Sequence, residues 1–336
     1  MNENGIHRKK LRIVFFGTAE FAVPSLEALI AAGHEILAVV TQPDKPQGRG
    51  RQLLYSPIKT SALKHGLQIM QPKRVRSETF LSKMRELKPD AIALAAFGQI
   101  IPQSLLDIPP LGPINVHGSL LPKYRGAAPI QRAIMAGEKV TGVTTMRMDA
   151  TLDTGDILLS ASVPIEINDT SGTLIEKLSL LGADLLVETL EGLSQGTLQR
   201  IPQDHAEATL APALTPEDAL IRWDESAERI CNRVRGLVPR LSGVTEIEGK
   251  RLKVWAAETV QISERTAHPG VVIGVQKRPA GVLVTAGDGG FVLLTEVQPE
   301  SGKRMNAADW ARGVRLAPGS GFETSMGLET PRRSEY

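Results

Sequence analysis

The chain has 336 residues, which at ~150 residues per domain suggests roughly two domains, each able to bury a substantial core. Apolar residues at 42% and charged residues at 23% exclude collagen-like, coiled-coil and largely disordered chains, and a net charge of +2 excludes a basic field over the whole molecule. Any nucleic-acid contact therefore has to come from local clusters, such as Lys45, Arg49 and Arg51 or Lys250, Arg251 and Lys253. The best apolar stretch, 11–29, is interrupted by Arg12, Glu20, Pro24 and Glu27, so neither a membrane span nor a secretory signal is expected. The single cysteine, Cys231, allows no internal disulfide and no cysteine zinc cluster, which fits a reducing, cytoplasmic setting.

In chain order, Leu11-Arg12-Ile13-Val14-Phe15-Phe16-Gly17 is a short apolar run ending in glycine, as a buried parallel strand does. A helix should follow: Pro24 suits a first turn, Leu26, Leu29 and Ile30 fall at helical spacing, and Gly33 is placed to stop it. A second strand is expected over 34–40, helices over 57–64 and 78–87, a buried strand over 91–96 after Pro89, and another over 112–116. This alternation predicts an α/β fold with an open, mostly parallel sheet. Ligands of such sheets sit at the strand C-terminal ends, which marks the loops after Phe16, Val40, Ala96 and Val116.

Beyond about residue 200 the pattern changes. A Pro- and Ala-rich connection over 201–216 precedes a helix over 226–235, then alternating runs predict strands over 244–248, 252–256, 270–275, 281–286 and 292–296. Five short strands suggest a small β-barrel of the OB type or the edge of a four-stranded sandwich. The chain is thus divided into a first domain over 1–205, a second over 206–316, and a tail over 317–336 whose scattered Gly, Ser, Thr and Pro predict disorder.

Dinucleotide binding is disfavoured because Gly17-Thr18-Ala19-Glu20-Phe21-Ala22 lacks the second and third glycines that admit a pyrophosphate, despite Asp44 beyond the second strand. The six histidines show no short-range ligand spacing, so no metal is expected, and no serine elbow is present. The densest polar segment is Asn115-Val116-His117-Gly118-Ser119-Leu120-Leu121-Pro122-Lys123-Tyr124-Arg125-Gly126, at the end of a buried strand. Alternation puts Asn115 and His117 on one face, where an amide and an imidazole can stabilise an oxyanion and move a proton. A carboxylate to orient His117 and help remove an amine proton is offered by Asp153, in Leu152-Asp153-Thr154-Gly155-Asp156. Each residue alone reads as structural; together at a strand end they favour chemistry.

The segment from Asn115 to Pro122, followed by Arg125-Gly126-Ala127-Ala128-Pro129-Ile130-Gln131, resembles the signature of the formyltransferases that use 10-formyltetrahydrofolate, and Asp153-Thr154-Gly155-Asp156 resembles their second motif. The resemblance implies a Rossmann-like formyltransferase domain followed by an OB-like domain, with Asn115, His117 and Asp153 as the catalytic set. It places the folate at Ser119, Leu120, Leu121 and Pro122, with Ala96 and Phe97 as a wall for the pterin, and requires neither NAD nor metal.

Thr41-Gln42-Pro43-Asp44-Lys45-Pro46-Gln47-Gly48-Arg49-Gly50-Arg51 resembles the loop with which tRNA-modifying members reach the initiator acceptor stem, and segments around Arg233 and Lys303 resemble their tRNA-binding module. This implies initiator methionyl-tRNA as the acceptor, contacted by Lys45, Arg49, Arg51, Arg233 and Lys303, with no membrane and no obligatory protein partner. The chain departs from the common pattern at Ala213, Arg222 and Arg240, where members carry Lys, Asp and Trp. Two other readings are a formyltransferase acting on a sugar-nucleotide amine and a non-catalytic RNA-binding protein with a vestigial site.

Overall fold

The computed structural model describes residues 9–47, 52–261 and 268–323. The chain divides into two compact units: one takes in Val140–Val163, Ile175–Ala211 and the chain up to Pro129; the other takes in Ile130–Lys139, Pro164–Leu174 and the chain from Pro212 onward. In chain order the first unit is built from β1 (Arg12–Gly17), α1 (Val23–Ala31), β2 (Glu35–Val40), the antiparallel pair β3 (Lys45–Gln47) and β4 (Gln52–Leu54), α2 (Pro57–Lys64), β5 (Ile69–Met70), α3 (Glu78–Leu87), β6 (Ala91–Ala95), α4 (Gln103–Leu106) and β7 (Pro113–His117). After α5 (Pro129–Ala136), counted almost wholly with the second unit, come β8 (Val140–Arg147), β9 (Ile157–Pro164) and all but the first turn of α6 (Ser171–Gln195).

The main sheet runs β5-β2-β1-β6-β7-β8-β9, parallel from β5 to β7, with β8 antiparallel to β7. This is the expected Rossmann-like, mostly parallel arrangement, and α2 and α3 occupy the predicted spans. Local chemistry sets their ends. Ser56 Oγ accepts the Lys59 N–H at 3.2 Å to cap α2, and α3 stops where Lys88 turns left-handed before Pro89. Val14, Phe16, Ile92 and Leu94 bury one face of the sheet against α3 and α4; Phe16 meets Phe97 edge-on with ring centroids 5.1 Å apart.

The second unit adds α7 (Ala227–Leu237), β10 (Gly243–Ile247), β11 (Lys250–Val260), β12 (Val272–Lys277), β13 (Ala280–Thr285), β14 (Phe291–Pro299), β15 (Met305–Asn306), α8 (Ala307–Gly313) and β16 (Phe322–Glu323). Its curled antiparallel sheet, ordered β12-β13-β14-β11-β10-β16 with β15 beside β14, is the OB-like element expected. The five predicted strands correspond to β10–β14. Register shifts between Val254 and Ala257 interrupt the alternation of β11, so pattern alone stops short of its full length.

In three places the contacts divide the chain differently from the linear boundaries expected. Phe322 pairs with Ile247 and stacks on Trp223 at 5.4 Å, so residues 317–323 belong to the second unit; 324–336 lie outside the described residues. The linear boundary at 205/206 also differs. Residues 206–211 belong to the first unit, where Ala211 donates to the Arg125 carbonyl at 2.7 Å. Two earlier segments belong to the second unit: Arg132 of α5 makes a bidentate pair with Asp218 at 2.6 and 2.7 Å, and Ser171 Oγ donates to the Val238 carbonyl at 2.7 Å.

Candidate active site

Strand β7 lies between β6 and β8, with Asn115 opposite Leu94 and Met146, and His117 opposite Thr144. Val116 points to the other face, where Gly182 of α6 comes so close that a Cβ there would stand 2.7 Å from Val116 Cγ1. Packing of α6 on that face leaves Asn115 and His117 together on the opposite one. Asn115 is half-buried and His117 buried.

The chain after His117 folds into a tight loop. Ser119 Oγ donates to the Lys123 carbonyl at 2.7 Å, and Thr144 Oγ1 donates to the Ser119 carbonyl at 2.8 Å while accepting the Leu121 N–H. The loop returns Tyr124 so that its carbonyl lies 2.9 Å from His117 Nε2. A carbonyl only accepts, so Nε2 carries the proton and Nδ1 is the nitrogen left to act as a base in the neutral ring. Nδ1 stands 3.7 Å from Asp153 Oδ2, beyond ordinary hydrogen-bond length but within ion-pair range. The Tyr124 carbonyl is thus the hydrogen-bond partner of the ring, and the Asp153 carboxylate lies beside the far nitrogen.

Asp153 adopts a left-handed φ of 52°, and its Oδ2 accepts the Gly126 N–H at 2.9 Å. Gly155, two residues on, runs against the end of β8, where a Cβ would fall 1.8 Å from the Arg147 carbonyl oxygen. Only glycine permits this approach, which turns the loop back and brings Asp153 to the end of β7.

Of the residues expected to hold folate, Ser119, Leu121 and Phe97 are buried and shape the backbone, whereas Leu120, Pro122 and Ala96 keep open surface. Ala96 has a left-handed φ of 43° and accepts the Thr18 N–H at 3.2 Å, while Gln42 Nε2 donates to the Phe97 and Gly98 carbonyls. The ends of β1, β2 and β6 are therefore bound together beside the site.

The residues expected to meet tRNA fare differently. Lys45 begins β3, and Arg49 and Arg51 lie outside the described residues. At the base of that segment Asp44 takes hydrogen bonds from Lys59 and Gln71; the Lys59 ammonium is the main cause that holds its carboxyl below the usual range, against the cost of burial. Lys303 is exposed. The Arg233 guanidinium donates to both Glu225 oxygens at 2.8 and 2.9 Å. Burial pushes the Cys231 thiol up to about 12, which keeps it protonated and no nucleophile.

Sequence reasoning missed Tyr124, whose part is played by a carbonyl that no side-chain pattern reveals. It also passed over Gln203, a buried residue in an irregular connection. Among the described residues, no helix is long and apolar enough to cross a membrane, and no group of three His, Cys, Asp or Glu could hold a metal ion.

A strand-end amide, imidazole and carboxylate on an open α/β sheet form a group that can stabilise an oxyanion and move a proton, as acyl transfer requires. The formyl transferase family model matches residues 11–190, and the formyl transferase C-terminal domain model matches 213–315. The methionyl-tRNA formyltransferase of Acetivibrio thermocellus is 47% identical over 309 residues, covering 92% of this chain and 98% of that protein. That of Koribacter versatilis is 49% identical over 304 residues, covering 90% and 96%. The chain belongs to the methionyl-tRNA formyltransferase family. Among solved structures, an N-formyltransferase from Helicobacter canadensis bound to folinic acid and dTDP-3-aminofucose is 18% identical with a TM-score of 0.63, covering 85% of this chain and 99% of that one. HypX from Aquifex aeolicus in complex with tetrahydrofolic acid, 18% identical, has a TM-score of 0.61 and covers 94% and 51%. These two likenesses bear on the fold.

Proposed function

We propose that this protein transfers the formyl group of 10-formyltetrahydrofolate to the α-amine of methionyl-tRNA in the cytoplasm, giving N-formylmethionyl-tRNA for translation initiation. The observation that carries the reading is the 3.7 Å approach of Asp153 to His117 Nδ1 at the end of β7, on the face Asn115 shares. The family relationship supplies the donor and the acceptor.

An α-ammonium group with a reference pKa of ~7.7 to 8.0 has to lose a proton before its nitrogen can attack. Asp153 accepts that proton, and the amine lone pair forms the new N–C bond at the formyl carbon. Negative charge gathers on the formyl oxygen, where the Asn115 amide stabilises it, joined by the His117 ring once Nδ1 has taken the second proton from the attacking nitrogen. The bond from the formyl carbon to N10 then breaks, N10 takes the second amine proton from His117 Nδ1, tetrahydrofolate leaves, and the proton held by Asp153 passes to solvent. Ser119, Leu120, Leu121 and Pro122 with Ala96 and Phe97 hold the donor, the buried members through backbone and shape. Lys45, Arg49, Arg51 and Lys303 meet the phosphates of the tRNA.

Single-turnover formylation of methionyl-tRNA by Asn115→Ala tests the assignment: loss of one oxyanion donor predicts a rate about a hundredfold lower. A rate within about threefold of wild type removes Asn115 from the mechanism.

A further inference from the structure

Gln203 lies outside both sequence motifs, in the connection that leaves β9 and α6 behind, yet it is buried and every polar position on its amide is used. Its Nε2 donates to the Asp153 carbonyl at 2.9 Å and to the Gly155 carbonyl at 2.7 Å. Its Oε1 accepts from Arg125 Nε at 3.0 Å and Nη2 at 2.7 Å. The amide therefore has one orientation, with donors toward the Asp153 loop and acceptor toward Arg125. It is brought there by a two-way backbone bridge between Ile201 and Ile157, at 2.8 and 2.9 Å.

Arg125 is buried too, and its backbone is held on both sides: its N–H donates to the Thr209 carbonyl at 2.8 Å and its carbonyl accepts from Ala211 at 2.7 Å. The next N–H, that of Gly126, is the one that binds Asp153 Oδ2 at 2.9 Å. Gly126 itself has a φ of 125°, and a Cβ there would stand 2.7 Å from the Ala211 carbonyl oxygen. A closed circuit results. Gln203 fixes the Asp153 backbone, Arg125 joins Gln203 to Gly126, and Gly126 fixes the Asp153 carboxylate. Asp153 needs such a hold, because its left-handed backbone persists only where the surroundings over-determine it.

We propose that Gln203, through Arg125, is the positioning residue that latches the Asp153 carboxylate opposite His117 Nδ1. The inference rests on the functional reading above only for the catalytic readout. Gln203 touches no substrate in this scheme; its effect is on the place of a proton acceptor, so it acts on turnover and leaves binding alone.

Two substitutions separate the latch from simple packing. Gln203→Ala removes the whole link, while Gln203→Glu keeps oxygens for Arg125 but turns a carboxylate toward the Asp153 and Gly155 carbonyls. Both are expected to lower kcat for methionyl-tRNA about 100-fold, the scale of a misplacement of about 1 Å, with KM for each substrate within about threefold. Placed on an Asp153→Asn background, Gln203→Ala is expected to cost less than about threefold more, since its effect runs through a group already disabled. Recovery of wild-type kcat by Gln203→Glu, or losses that multiply in the double variant, overturns the proposal. A crystal structure of Gln203→Ala provides a readout free of any assumed acceptor: the Asp153 carboxylate is expected to leave the Gly126 N–H, and an unmoved carboxylate overturns the latch. Failure of the wild-type protein to formylate methionyl-tRNA would instead count against the functional reading, and the crystallographic arm would still decide the latch.

Discussion

At the scale of single residues, the site separates two jobs that carboxylate and backbone are often assumed to share. The Tyr124 carbonyl, 2.9 Å from Nε2, fixes the tautomer of His117, and the Asp153 carboxylate lies beside Nδ1, where the proposed mechanism has it take the amine proton. Asp153→Asn keeps a carbonyl oxygen for the Gly126 N–H but removes the proton acceptor. Its turnover is expected to fall by roughly 10²–10⁴-fold, the usual range for a general acid or base, with folate binding preserved. Turnover near wild type, measured beside the folate dissociation constant, would contradict the role. The placing of Asn115 and His117 on one face, with Asp153 near them, was legible in the sequence because polar residues at a strand end stand out against an apolar run. Gln203 was not, since its significance comes from residues 48 and 50 positions earlier along the chain. The pairing of Arg233 with Glu225 was not legible either, because a partner eight positions earlier is seen only in space.

At the scale of elements, glycines decide how closely the site's loops can approach the sheet. A methyl group at Gly155 would meet the Arg147 carbonyl at 1.8 Å, and backbone there cannot give way without moving Asp153. Gly155→Ala is therefore expected to destabilise the fold by about 1–3 kcal/mol or more and to lower turnover beyond what the stability loss explains. Thermal melts and steady-state rates on the same preparation check this, and unchanged values in both would contradict the close approach. Helices α2 and α3 were predictable because Pro57 suits a first turn and Pro89 closes off the second of them. Helix α8 was not. At seven residues it is too short to show a period, and its stability comes from the Asn306 cap and the buried Trp310.

At the scale of the whole molecule, the division into units was readable only in outline. The change in pattern near residue 200 marks a second unit, but that unit also recruits 130–139 and 164–174, and contacts so distant in sequence leave no trace in composition. One of them has a consequence for acid stability within the second unit. Burial opposes ionisation of Asp218, yet hydrogen bonds from the Arg132 guanidinium and the Thr215 N–H outweigh it and hold the carboxyl below the usual aspartate range. A carboxyl more acidic in the folded chain than in the unfolded one stabilises fully above the unfolded value, ~3.9, and loses that contribution as pH falls through its folded value. Asp218→Asn is expected to lower the melting temperature at neutral pH by a few degrees, with the gap to wild type closing as pH drops below about 4. A gap that does not change with pH would contradict the ion pair's role.

The acceptor is the point to measure, because the same fold serves an N-formyltransferase whose structure holds dTDP-3-aminofucose. The direct measurement offers 10-formyltetrahydrofolate together with either initiator methionyl-tRNA or a dTDP-linked amino sugar, and follows the formylated amine. Formylation of the aminoacyl group, with none on the sugar, is the predicted result; equal use of the sugar, or transfer to neither, would contradict it.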